Sequence, residues 1–187
     1  ERRDFTMNAM AYNDGRGLVD EFQGLEDLEA GVIRCVGNPG DRFDEDALRM
    51  LRAVRFSGQL CFSMEENTRQ AAEERVAHLK QISAERIRVE LTKLLVARDA
   101  GRIRDAYRMG MTKVFLPELD DMMDWEQRNP HHIYTVGEHS IRSVEIMNFF
   151  FGDYGGTWDA GAIPTHVREN AEELAAGLTE KQHMMLC

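Results

Sequence analysis

The sequence predicts a mostly α-helical protein that begins with a small mixed α/β unit. Three observations support this prediction. Apolar residues recur at steps of three and four through most of residues 41–109, which is the spacing of helices that bury one face. Earlier in the chain the apolar runs are short, and Asp14-Gly15 between two of them is a hairpin signal. The breaker cluster from Gly37 to Gly40 separates the two patterns.

In the first unit we expect two strands, a short helix and a third strand. Their predicted ranges are residues 9–12, 18–22, 24–30 and 32–36. Gly31 would end the helix, because glycine accepts the left-handed conformation common at helix ends. Asp20 and Glu21 invite a metal interpretation, but turn and capping roles are favoured, since acidic side chains accept hydrogen bonds from exposed backbone amides.

The helical part should contain four helices before residue 110. Their predicted ranges are residues 41–60, 65–79, 84–97 and 101–109. Ser63 and Glu66 resemble a capping box for the second helix, and Ser83 is placed to cap the third. A break at Asn129-Pro130 precedes one more predicted helix.

The composition narrows the possible classes of protein. The net charge of −10 argues against a general polyanion-binding surface, although basic residues can still cluster locally. Cys35, Cys61 and Cys187 are widely spaced and form no CxxC pair, so neither a disulfide framework nor a zinc knuckle is indicated. A reducing cytoplasm is the expected compartment.

The octapeptide EDALRMLR, residues 45–52, has charged residues along one flank. On a continuous helix, Asp46, Arg49 and Arg52 follow each other at three-residue steps, opposite an apolar stripe. One interpretation is a solvated salt-bridge ladder. The other is a hydrogen-bonding edge for a nucleobase, because Asp offers acceptors and Arg offers a planar fork of donors. This segment alone does not decide between them.

Three segments in this order decide it by resemblance: RRDFTMNAMAYN at residues 2–13, a longer segment at residues 17–56 that ends DRFDEDALRMLRAVRF, and ISAERIRVELTKLL at residues 82–95. Together they resemble the bacterial tRNA nucleotidyltransferase and poly(A) polymerase family, which includes the CCA-adding enzymes. The resemblance implies part of a nucleotidyltransferase head at residues 1–37, a helical neck and body at 38–128, and the start of an HD-like helical domain at 129–187.

The same resemblance assigns residues to nucleotide binding. Arg3, Asp4 and Asn8 match the motif that lies beside the ribose and the triphosphate; the alternative for them is a strand-edge ion pair without a ligand. Asp46 and Arg49 match the pair that reads the Watson–Crick edge of CTP or ATP without a nucleic-acid template.

Glu45 and Arg52 would buttress that pair or contact phosphate. Further basic residues in the neck and body are candidates for contacts with the acceptor stem of tRNA, through its phosphates. They are Arg69, Arg75, Lys80, Arg86, Arg88 and Lys93.

Metal chemistry is implied in two places. The family binds Mg²⁺ through an Asp-x-Asp pair upstream of the RRDF motif, and that pair is not in this sequence. His139 would be the first metal ligand of an HD site, but no later His-Asp pair follows it. The chain also begins without Met and ends in an apolar run, so we expect a piece of a longer enzyme that is inactive alone.

The expected function of the parent enzyme is transfer of CMP and AMP from CTP and ATP to the 3′ end of tRNA. Alternatives are a poly(A) polymerase of the same family, an HD-type metal-dependent phosphohydrolase, and an RNA-binding remnant without chemistry. No membrane association is expected.

Overall fold

The computed structural model describes residues 3–127 and 133–151, and these residues form a mostly helical fold, as predicted. The strands are β1 Ala11–Asn13, β2 Gly17–Val19, β3 Val32–Ile33 and β4 Ser63–Met64. The α-helices are α1 Gly24–Ala30, α2 Pro39–Glu45, α3 Leu48–Leu60, α4 Glu66–Arg75, α5 Ala84–Leu95, α6 Ile103–Arg108, α7 Thr112–Phe115, α8 Pro117–Asp124 and α9 Val136–Phe151. Short 3-10 turns cover Thr6–Asn8, Val76–Gln81 and Ala100–Arg102.

The predicted hairpin and the helix after it are confirmed. Strands β1 and β2 pair antiparallel, with Ala11 opposite Val19. Helix α1 ends at Gly31, whose φ of 68° is in the left-handed region. The carboxylate of Asp20 accepts hydrogen bonds from the amides of Gly24 and Leu25, both at 2.8 Å, and the bonds lower its pKa. Asp20 therefore has the capping role expected from the sequence.

The capping box predicted at Ser63 is wrong. Ser63 lies in β4, which pairs in parallel with β3, so this residue is extended and precedes the helix. Glu65 caps α4 instead, and its carboxylate accepts a hydrogen bond of 2.8 Å from the amide of Thr68. The cap predicted at Ser83 is confirmed, since its side chain accepts a hydrogen bond from the amide of Arg86.

The prediction of one helix over residues 41–60 is also wrong. Helix α2 ends at Glu45 and α3 begins at Leu48, while Asp46 between them is extended with φ −154° and ψ 101°. The carboxylate of Asp46 accepts a hydrogen bond of 3.2 Å from the amide of Leu48 and so caps the new helix. Asp46 therefore does not share a helix with Arg49.

Helix α3 lies at the centre of the core. Met50, Leu51, Ala53 and Val54 on this helix are fully buried, and α3 packs closely against α5. At its far end, a Cβ added to Gly58 would lie 2.8 Å from the carbonyl oxygen of Asp99, so the close packing there requires glycine. The central helix thus has a fixed position from which its polar flank can face the first unit.

Helix α9 packs on the same helical body. Arg104 of α6 binds Glu138 at 2.8 Å and Glu145 at 2.7 Å. The amide group of Asn148 donates a hydrogen bond of 2.6 Å to the carbonyl oxygen of Leu95, at the C-terminal end of α5. The predicted domain start at residue 129 stays a prediction. None of the helices within the described ranges is both long and apolar enough to span a membrane.

Candidate functional site

Asp4 and Arg52 join the first unit to helix α3. Asp4 is 8% exposed, and its Oδ2 accepts hydrogen bonds from Nε and Nη2 of Arg52 at 2.8 and 2.6 Å. Its Oδ1 accepts from the amide of Phe5 at 2.9 Å and from Nδ2 of Asn8 at 3.1 Å. Burial opposes ionisation of Asp4, but the hydrogen bonds from Asn8 and Arg52 outweigh it and lower the pKa. Asp4 is therefore a carboxylate whose two oxygens are already engaged.

The pairing continues into the core through Glu90 of α5. Glu90 is 5% exposed, and its Oε2 accepts a hydrogen bond of 2.6 Å from Nε of Arg55. Its Oε1 lies 3.7 Å from Nη1 of Arg52. The ring of Phe56 lies 3.8 Å from the Arg55 guanidinium carbon and 5.3 Å from that of Arg52. A neutral set of two arginines and two carboxylates thus connects the first unit, α3 and α5.

Arg49 is held where α2 and α3 meet. Its Nη1 donates a hydrogen bond of 2.6 Å to Oε2 of Glu45 and one of 3.0 Å to the carbonyl oxygen of Arg42. The other carboxylate oxygen of Glu45 lies 2.6 Å from Nη2 of Arg42. The hydrogen bond from Arg49 lowers the pKa of Glu45. These contacts are consistent with the prediction that Glu45 supports Arg49.

Asp46 has a different partner from the one expected on a continuous helix. Its Oδ2 accepts a hydrogen bond of 2.8 Å from Nη2 of Arg86, the first basic residue of α5. The break between α2 and α3 explains the change, because it moves the Asp46 side chain off the flank of α3. The two predicted base-reading residues therefore have separate partners: Asp46 pairs with Arg86, and Arg49 pairs with Glu45.

Sequence analysis missed Arg42 and Glu90. Arg42 lies three residues before Glu45, but an Arg and a Glu three positions apart on a charged helix flank are common and carry no distinct signal. Glu90 did leave a signal: it falls between Ile87 and Leu94 on the buried stripe of α5. An acid at a core position requires a buried cationic partner.

The six basic residues predicted to contact the acceptor stem fall into two groups. Arg69, Arg75 and Arg86 are ion-paired, with Glu66, Asp44 and Asp46 respectively. Lys80, Arg88 and Lys93 are exposed and form no ion pair within the described ranges. We call these three residues the exposed basic residues of the body, and cations that are not held in an ion pair are suited to phosphate contacts.

The described residues do not fit a Mg²⁺ site. Asp4, Glu45, Asp46 and Glu90 each hold a guanidinium, which occupies the oxygens that a hard cation would need. No group of three or more His, Cys, Asp or Glu side chains suited to a metal ion occurs in the described part of the chain, His139 included. His131 and His132 lie outside the described residues.

Two family models of known proteins match segments of this chain. Residues 1–34 match the model of the poly A polymerase head domain, and residues 61–123 match that of the probable RNA and SrmB-binding site of polymerase A. Together the two matches cover the first unit and most of the helical body. They define the class of protein: a poly A polymerase head domain followed by a helical region of the kind that follows it in polymerase A.

Relatives and solved structures specify the family. The CCA-adding enzyme of Pediococcus pentosaceus is 39% identical over 160 residues, which is 79% of this chain and 40% of that protein. That of Limosilactobacillus reuteri is 50% identical over 147 residues, 73% of this chain and 36% of that protein. The crystal structure of the Bacillus stearothermophilus CCA-adding enzyme in complex with CTP is 29% identical, with a TM-score of 0.64 over 95% of this chain and 45% of that one.

The chain belongs to the tRNA nucleotidyltransferase and poly(A) polymerase family, and the two relatives described above are CCA-adding enzymes. It spans 36% to 40% of the length of the two curated relatives described above. The Thermotoga maritima CCA-adding enzyme complexed with tRNA-CCA has a similar fold, with a TM-score of 0.57 and 26% identity over 98% of this chain and 55% of that one.

Proposed function

We propose that this chain supplies the nucleotide-reading and RNA-binding part of a CCA-adding tRNA nucleotidyltransferase. The enzyme would transfer CMP and AMP from CTP and ATP to the 3′ end of tRNA in the cytoplasm, without a nucleic-acid template. The observation that carries the proposal is the pairing of Asp4 with Arg52, because it fixes the head motif against the helix that bears Arg49.

Nucleotide selection would rest on Asp46 and Arg49. Cytosine and adenine both present an amino donor beside a ring-nitrogen acceptor, whereas uracil and guanine present a carbonyl acceptor beside an N–H donor. A carboxylate accepts from the amino group and a guanidinium donates to the ring nitrogen. One Asp and one Arg therefore suffice to accept CTP and ATP and to reject UTP and GTP.

The head motif would hold the rest of the nucleotide. Arg3 is suited to the triphosphate, since a guanidinium binds phosphate oxygens with two donors. Asn8 can donate to or accept from a ribose hydroxyl. Asp4 already accepts four hydrogen bonds, so it would act by orienting Asn8 and Arg52.

The exposed basic residues of the body would hold the tRNA acceptor stem. Their contacts would be to phosphates and independent of sequence, which suits an enzyme that extends tRNAs of every acceptor sequence. Magnesium would be bound outside the described residues, and His139 would take part in an HD-type site only with ligands from elsewhere.

Nucleotide incorporation by the protein expressed from its complete reading frame tests the proposal. A tRNA that lacks its CCA end is incubated with labelled CTP and ATP. We expect incorporation of both nucleotides by the unchanged protein, and loss of both in Asp46→Ala with Arg49→Ala. Incorporation by the double variant at the unchanged rate would overturn the assignment of these residues.

A second function is poly(A) synthesis, because both matched family models carry the name of polymerase A. Product length separates the two functions in the same assay. A CCA-adding enzyme stops after three nucleotides, while a poly(A) polymerase given ATP alone extends an RNA into a long tail.

A further inference from the structure

We propose that Arg42 is a positioning residue for nucleotide selection, which acts through Glu45 to set the orientation of the Arg49 guanidinium. This inference rests on the proposed function and adds a residue to which no nucleotide contact has been assigned. The evidence is a set of contacts among three side chains and one carbonyl group.

The contacts form a ring. Arg42 Nη2 lies 2.6 Å from Oε1 of Glu45, and Arg49 Nη1 donates to Oε2 of the same carboxylate at 2.6 Å. Arg49 Nη1 also donates to the carbonyl oxygen of Arg42 at 3.0 Å. Both Arg42 and Arg49 are largely buried, with side chains 17% and 14% exposed, whereas Glu45 is 45% exposed.

Arg42 determines which way the Glu45 carboxylate faces. An exposed glutamate alone samples several rotamers, and holding a long side chain in one of them costs entropy. With one oxygen bound to Arg42, the other oxygen is fixed toward Arg49. Arg42 thus acts on Arg49 twice, through its side chain by way of Glu45 and directly through its carbonyl oxygen.

Helix α2 is held firmly enough to serve as the support for this ring. Its N-terminus is capped by Asn38, whose side chain accepts from the amide of Gly40 at 2.8 Å. Asp44 on the same helix binds Nε of Arg75 at 3.1 Å and Nδ1 of His78 at 3.3 Å. These contacts tie α2 to α4 and to the turn after it, so the position of the Arg42 carbonyl is fixed by tertiary structure.

Selectivity should depend on this ring more than overall activity does. A guanidinium reads a base edge by direction, because its donors lie in one plane. If Glu45 loosens, Arg49 keeps its charge and still attracts the nucleotide, but it can also turn to meet the carbonyl acceptor of UTP or GTP. We therefore expect kcat/KM for CTP to fall less than the ratio of kcat/KM for CTP to that for UTP.

The experiment compares four proteins expressed from the complete reading frame: unchanged, Arg42→Ala, Arg42→Lys and Arg102→Ala. For each we measure kcat/KM for CTP and for UTP on a tRNA that lacks its CCA end. Arg102→Ala is the control, because it removes ion pairs with Asp99 and Asp105, which lie outside α2 and outside the ring. Thermal unfolding of each variant reports the structural effect separately.

We expect the CTP-to-UTP ratio to fall at least about threefold in Arg42→Ala, the lower range of coupling between contacting residues. Arg42→Lys should recover most of the ratio, since lysine can donate to Glu45, and Arg102→Ala should leave it unchanged. An unchanged ratio in Arg42→Ala, or an equal fall in Arg102→Ala, would overturn the inference alone. Absence of incorporation by the unchanged protein would overturn the proposed function and the inference with it.

Discussion

Asp4 and Arg52 lie 48 positions apart in the chain, yet Arg52 donates two hydrogen bonds to a single carboxylate oxygen of Asp4. The contact matters because it joins two motifs that the sequence presents separately. Asp4 is nearly buried, whereas the Arg52 side chain is 31% exposed, so water can partly replace the lost partner of Arg52 but not that of Asp4. A substitution of Asp4 therefore tests how much this contact contributes to stability.

Asp4→Asn should lower the free energy of unfolding by about 1–2 kcal/mol, below the usual value for a broken buried pair because Arg52 is partly exposed. Urea unfolding measures this difference. Glu66→Gln is the control, since its pair with Arg69 is exposed and should contribute less than about 1 kcal/mol. Equal losses in the two variants would mean that the contact of Asp4 with Arg52 is no stronger than a surface ion pair.

The pH dependence of the unfolding free energy should also report the pairing of Asp4 with Arg52. The pKa of Asp4 is lowered in the folded protein, so the unfolded state binds the proton more readily. Its contribution is therefore present above the unfolded pKa, near 3.8, and is lost as the pH falls through the folded pKa. Unfolding measured at a series of pH values from 6 to 3 should show a shallower decline in Asp4→Asn, and an identical decline would contradict the assignment.

Glu90 should be the most sensitive residue of the connected set. Glu90→Ala leaves the buried guanidinium of Arg55 without its carboxylate partner, which should cost about 3 kcal/mol in unfolding free energy. The double variant Glu90→Met with Arg55→Leu removes both charges and should be less destabilised than the single variant. If the double variant is the less stable of the two, desolvation of Arg55 is not the cause.

The sequence predicted several local elements correctly, but it missed the break between α2 and α3 and the pairing of β4 with β3. The hairpin, the end of α1 at Gly31 and the cap at Ser83 were predicted correctly, because residues a few positions apart determine them. Ser63 was misjudged because its partner strand β3 lies about thirty residues earlier, and nothing near Ser63 indicates the pairing. The tertiary structure overrode the capping pattern there.

The same distinction applies to the candidate site. The resemblance supplied Asp46 and Arg49, but their partners could not be predicted from it. Arg86 reaches Asp46 from 40 positions away, and only the packing of α5 on α3 brings the two together. Residue types at a site can thus be predicted from a motif, whereas the ion pairs that orient them depend on helix packing.

The last prediction concerns the exposed basic residues of the body and RNA affinity. Arg88→Ala with Lys93→Ala removes two exposed cations that have no ion pair within the described ranges. Binding of tRNA by the protein from its complete reading frame should weaken, and its salt dependence should become shallower by about 0.9 per lost phosphate contact in the slope of log K against log salt.

The control is Arg69→Ala with Arg108→Ala, which removes one partly exposed and one exposed arginine that already pair with Glu66 and Asp105. A cation that must leave an acidic partner gains less from a phosphate, so this variant should bind tRNA with nearly the unchanged slope. Equal changes in the two double variants would show that affinity follows total charge. A change confined to Arg88 and Lys93 would place the acceptor stem along α5, because both residues lie on that helix.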